Sequence, residues 1–173
     1  MFQWKFSRAC KKTYMDIARI KMLNIINILK RENLVNDGVL NLILAYGYSF
    51  SRAGLIYSLM EYSSTEYAYR VEDELNKHHI KFLKRLLSHI KDSSERENLI
   101  KEIGSEIGWL VSQTMFSMKE NPDMVVSFSV DRFCEKIHIN NYNLSDRAIE
   151  ALNREMDTLI HYSKEDCQKY GLL

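Results

Sequence analysis

One proline, Pro122, and six glycines are the main backbone punctuation in 173 residues. A β-rich chain needs a turn roughly every 8–12 residues, and those turns draw heavily on glycine and proline. With so few breakers the chain favours long helices. Its apolar side chains recur at the three- and four-residue steps that build one face of a helix. Hydrophobic residues at 46% and charged residues at 27% give a globular balance, able to bury one core. The expectation is a single compact all-α domain over residues 1–173, of seven or eight helices. A globin-like or Bcl-2-like arrangement around a central apolar helix suits that size.

Local signals mark the helices. Tyr14, Ile17, Ala18, Met22, Ile25, Ile28 and Leu29 predict a first helix over about 7–31 with a buried stripe. Asn36-Asp37 offers a cap for a short helix stopped by Gly47, and Ser49 a cap for another reaching Tyr62. After Ser63-Ser64 a long helix to Ile90 carries Tyr67, Val71, Leu75, His79 and Phe82 on one face. Ser94 and Glu97 have the spacing of a capping box and open a helix to about Met118. Residues 124–130 alternate as a strand would. Asn121-Pro122-Asp123 is nonetheless a helix opening, and Val126, Val130, Phe133 and Ile137 keep helical steps, so this stretch is read as helix. Ser145 should cap a helix to Tyr162, and a last short helix follows Ser163 and stops at Gly171.

Charge is divided unevenly along this frame. The first 31 residues hold eight basic side chains and one acid, Asp16, a net +7; the remainder carries −6. Lys5, Arg8, Lys12 and Arg19 share the side of the first helix opposite its apolar stripe. Such a row neutralises phosphates or acidic protein surfaces, and Phe2, Trp4 and Phe6 stand beside it. The alternative is that this helix docks on the acidic remainder of its own chain. A near-neutral total charge weighs against a dedicated nucleic-acid binder.

Other residues are candidates for contact or chemistry. Gly104, Gly108 and Ser112 form a small-residue line, flanked by Trp109, on which a second helix could sit closely. The contact would be either internal or between two copies of the chain. His79 lies on an apolar face, where a hydrogen-bonded core histidine or a ligand contact is expected. Glu74 and His78 at i, i+4 lack the second such pair that a di-metal bundle requires, so no metal or cofactor is expected.

Arg154 and His161 have six residues between them, a spacing that resembles the Arg-x(4–6)-His signature of the HEPN family. That likeness implies a helical, metal-independent ribonuclease in which the histidine moves protons and the arginine steadies phosphate charge. Glu155 stands after the arginine, where HEPN enzymes often carry another polar residue. A helix-turn-helix over residues 40–59 fits Gly47 at its turn, but Arg52 would be the recognition helix's sole cation.

No continuous apolar stretch of membrane-span length and no secretory h-region is present, and three widely spaced cysteines suit a reducing cytosol. The sequence therefore points first to a non-enzymatic helical module binding a protein partner, with a homodimer as an option. A sensor with an apolar pocket for a fatty acid or haem-like molecule, and a HEPN-like ribonuclease, are the rival expectations. Nucleic acid or anionic membrane ranks below a protein as partner of the basic helix.

Overall fold

The computed structural model describes residues 2–105, 130–140 and 143–173. Among these residues there is no strand. Seven helices are α1 (Phe2–Arg31), α2 (Asp37–Tyr62), α3 (Thr65–Leu86), α4 (93–105), α5 (Val130–Lys136), α6 (Asp146–Ile160) and α7 (Lys164–Lys169). They form a compact all-α arrangement, as the scarcity of breakers implies.

The hub is α2. Residues 45–56 are buried without interruption, which requires neighbours around the whole circumference of a helix. α1, α3, α5 and α6 supply them. By length and composition α2 could cross a membrane, yet 72% of its most apolar window is buried inside the fold. Its apolar character is that of a core helix.

The sequence predicts a break at Gly47, and the structure has none. Gly47 is helical, and it is not among the glycines with positive φ that a helix stop would require. Its missing side chain serves a tertiary contact instead: a Cβ there would run into Sδ and Cε of Met22 on α1. The helix-turn-helix reading of residues 40–59 is overturned with the break.

Gly47 belongs to a line of small residues, Gly47, Ser51, Gly54 and Ser58, at steps of four, three and four along α2. A Cβ at Gly54 would lie 2.6 Å from the carbonyl carbon of Ile160 and nearer still to its Cα and oxygen. The chain leaving α6 thus runs backbone to backbone against α2. Ser58 Oγ accepts the Tyr162 N–H at 3.2 Å, and the Ser51 and Tyr162 hydroxyls share a hydrogen bond.

Helix ends follow local chemistry with two adjustments. Asn36, Ser64, Ser145 and Ser163 each cap through a side-chain oxygen, and Ser163 with Asp166 forms a full capping box. The Ser94–Glu97 box is not used. Asp92 Oδ1 accepts the Glu95 N–H at 2.9 Å, a carboxylate at the positive end of the helix. α1 begins at Phe2 rather than near residue 7, because its first turns have partners on α3. Gln3 donates to Glu74 at 3.2 Å, Ser7 bonds His78 at 3.1 Å, and Phe6 meets Tyr67 edge-on. α3 stops at Leu86, short of Ile90, with Leu87 as its cap. The expected strand-or-helix stretch 124–129 lies outside the described residues; from Val130 the chain is helical.

Candidate functional site

The core stripe of α1 is consumed by folding. Cys10, Tyr14, Ile17, Ala18, Met22, Ile25 and Leu29 are all buried. Its opposite side is not polar throughout, as a surface helix would ordinarily be. The four most exposed large apolar side chains among the described residues are all on α1: Phe2 at 92%, Trp4 at 62%, Ile20 at 58% and Leu23 at 51%. At 100° per residue, Lys5, Arg8, Lys12 and Arg19 fall within a sector of roughly 60°, with Leu23 inside it. Trp4 flanks one side of the sector, Phe2 and Ile20 the other. From Phe2 to Leu23 the face is about 32 Å long at 1.5 Å per residue.

All four cations are exposed, and none forms an ion pair among the described residues. The Arg8 guanidinium lies 5.4 Å from the centroid of the Trp4 ring, which orients both groups without consuming the charge. Phe2, Trp4, Lys5, Arg8 and Lys12, with Tyr170 and Gly171, border an open groove of about 580 Å³. Gly171 has φ +79°, a left-handed conformation that turns the chain at the groove edge. Phe6 differs from its two aromatic neighbours: it is half-buried between Tyr67 and the Arg70 guanidinium, 4.9 Å from its centroid.

One basic residue of α1 does turn inward. Lys21 is buried, donates to the His161 carbonyl at 2.6 Å, and stands 4.1 Å from the Tyr162 ring centroid. Burial lowers its pKa to about 8. Intramolecular docking of the basic helix therefore runs through its apolar stripe and Lys21, while the row of four cations faces solvent.

His79 sits in the core with both ring nitrogens engaged. Nδ1 is 2.6 Å from the Tyr14 hydroxyl and Nε2 is 2.9 Å from Ser49 Oγ. The Ser49 proton goes to the Ala45 carbonyl at 2.6 Å, so Ser49 must accept from Nε2–H. In the neutral ring Nδ1 then accepts from Tyr14. Burial, and then the nearby Arg52 charge, lower the His79 pKa to about 3, consistent with a neutral ring. This is the hydrogen-bonded core histidine of the sequence reading. Tyr14 and Ser49, 65 and 30 residues away, carry no sequence signal of that role.

The remaining candidates are dispersed. Arg154 is exposed and paired with Glu150 at 3.2 Å. His161 caps the C-terminus of α6, its Nδ1 2.6 Å from the Asp157 carbonyl oxygen and its own carbonyl held by Lys21. Neither lines the cavities described in this structure, and no hydrogen bond joins them among the described residues. Gly104 is exposed, and a Cβ built on it meets nothing within 4 Å among the described residues. Gly108, Trp109 and Ser112 lie outside the described residues. Among the described residues no three metal-ligating side chains converge. Comparison with protein-family models, curated proteins and solved structures finds no match to this chain.

Proposed function

We propose that this protein is a non-enzymatic interaction module that docks an acidic, partly apolar protein surface on the outer face of α1 and its adjoining groove. One observation carries the reading: among the described residues the four most exposed large apolar side chains all stand on the helix that carries the unpaired cations. Tryptophan, phenylalanine and arginine are the residue types that anchor protein interfaces, and an apolar centre rimmed by charge is their usual anatomy.

A bilayer fits this face less well. Helices that lie in a membrane surface bury a continuous apolar side, and that side of α1 already forms the core. A second copy pairing through the same face would set Lys5, Arg8, Lys12 and Arg19 against their equivalents, so the partner is a different, acidic molecule. The three cysteines are all buried free thiols, which suits residence in a reducing cytoplasm.

Photocrosslinking in cells tests the reading. A photoreactive residue placed at Trp4, Ile20 or Leu23 should give one common protein adduct, absent when it replaces the exposed Lys84 of α3. Arg8→Glu with Lys12→Glu should abolish it. Adducts arising equally from Lys84, or none from α1, would reject the proposal. Retention on anionic vesicles with no protein adduct would assign the face to membranes instead.

A further inference from the structure

Arg52 is the lone cation of α2 and is 5% exposed. Among the described residues its Nη2 has only long contacts, 3.4 Å to Asn76 Oδ1 and 3.9 Å to Glu72 Oε1. Its Nε has no hydrogen-bond partner among the described residues. A buried guanidinium N–H left without an acceptor is costly, so a fold that retains one here has a use for it. Arg52 lines a half-open cleft of about 520 Å³ between α2, α3 and α4, within the size range of small-molecule sites. By contrast, a larger groove near Asn41, about 870 Å³, has polar groups already engaged: Asn41 with His89, and Asp92 with the Glu95 N–H.

The cleft is chemically two-sided. Arg52 brings a buried, unpartnered donor to the lining, and the neutral His79 that shares it adds no competing charge. Glu72 and the exposed Asp73 supply carboxylates beside it, and Ile80 and Leu83 give an apolar wall. A simple anion would meet two carboxylates, and a simple cation would meet Arg52. A molecule carrying both charges a few ångströms apart satisfies each, with charge-assisted hydrogen bonds at both ends.

We propose that this cleft binds a small zwitterion with an apolar body, the chemistry of a free apolar amino acid or a dipeptide. The carboxylate takes the Arg52 Nε–H, the ammonium faces Glu72 and Asp73, and the apolar part lies on Ile80 and Leu83. The cleft draws on α2, α3 and α4, so this assignment does not depend on docking through α1.

Calorimetric titration of the full chain tests it with leucine, phenylalanine and leucyl-leucine, against N-acetyl-leucine and leucinamide. Saturable binding of a zwitterion is expected, at least 10-fold tighter than either control. Leucine against leucyl-leucine then separates amino acid from dipeptide. Asp73→Asn, an exposed change, should weaken the zwitterion several-fold, and Arg52→Gln should abolish binding. The proposal is overturned if no zwitterion binds at millimolar concentration, or if N-acetyl-leucine binds equally well. It is also overturned if folded Arg52→Gln binds as wild type does. Should Arg52→Gln fail to fold, the two control ligands and Asp73→Asn decide alone: unchanged affinity in Asp73→Asn counts against the assignment.

Discussion

Adding one methyl group at Gly54 pushes two backbones apart, and the consequence can be worked from the contacts. The new Cβ would stand 2.6 Å from the Ile160 carbonyl carbon and closer to its Cα and oxygen, whereas ordinary contact begins at 3.4 Å. No rotamer can relieve a clash with backbone, so the end of α6 must retreat by about an ångström. That retreat loosens the Tyr162 N–H bond to Ser58, the Ser51–Tyr162 pair and the Lys21 bond to the His161 carbonyl. Overpacking costs about 1–3 kcal/mol and each weakened hydrogen bond about 1 kcal/mol. Replacing a helical glycine by alanine returns only about 1 kcal/mol. Gly54→Ala should therefore destabilise by about 3–5 kcal/mol. Gly47→Ala meets only the flexible end of Met22 and should change stability by less than about 1 kcal/mol. Gly104→Ala meets nothing among the described residues and should stabilise by up to about 1 kcal/mol. Urea unfolding followed by circular dichroism ranks the three. If Gly54→Ala is as stable as wild type, the backbone packing of α2 on the end of α6 is wrong.

Two further outcomes follow from burial. His79 titrates near pH 3 when folded and near 6.5 when unfolded, so below about pH 6.5 the unfolded chain binds a proton that the folded chain refuses. Its contribution is full at neutral pH and declines as the pH falls toward 3. From pH 7 to 5 wild type should lose about 2 kcal/mol more than His79→Gln in urea titrations; parallel losses would refute the neutral, buried ring. The thiols offer an independent check, because burial pushes Cys10 up to about 12 and Cys167 to about 11. At pH 8 a thiol-specific chromogen should react with native protein only at the rate of unfolding, and with all three cysteines in denaturant. A fast native thiol would contradict the packing around α1, α5 or α7.

What the sequence disclosed depended on the range of the interaction. Helix starts at Asn36, Ser64, Ser145 and Ser163 are legible because a cap is a bond between a side chain and an amide two or three residues on. Gly47 misleads for the opposite reason. Local rules make it a helix stop, and only Met22, on another helix, explains why it stays inside one. Among the described residues a small-residue line that brings backbones together is on α2, and it is hidden once α2 is divided at Gly47. His79 was recognisable from its apolar face, while its partners Tyr14 and Ser49 belong to the tertiary fold. Arg52 carried a visible signal, a lone cation in an apolar helix, but its partners Asn76 and Glu72 come from α3. On α1 the cation row could be read directly. The exposure of Ile20 and Leu23 could not, since it depends on how the helix is rotated against α2, α3 and α6.

On the function proposed above, the outer face of α1 is dispensable for folding and reserved for a partner. The most direct test joins two readouts on one variant, Trp4→Ala with Arg8→Glu, Lys12→Glu and Leu23→Ser. Every replaced side chain is exposed and lies outside the core, so the unfolding free energy should stay within about 1 kcal/mol of wild type. The protein adduct formed through Ile20 should disappear. A variant that unfolds like a core mutant, or that keeps the adduct, would contradict the account.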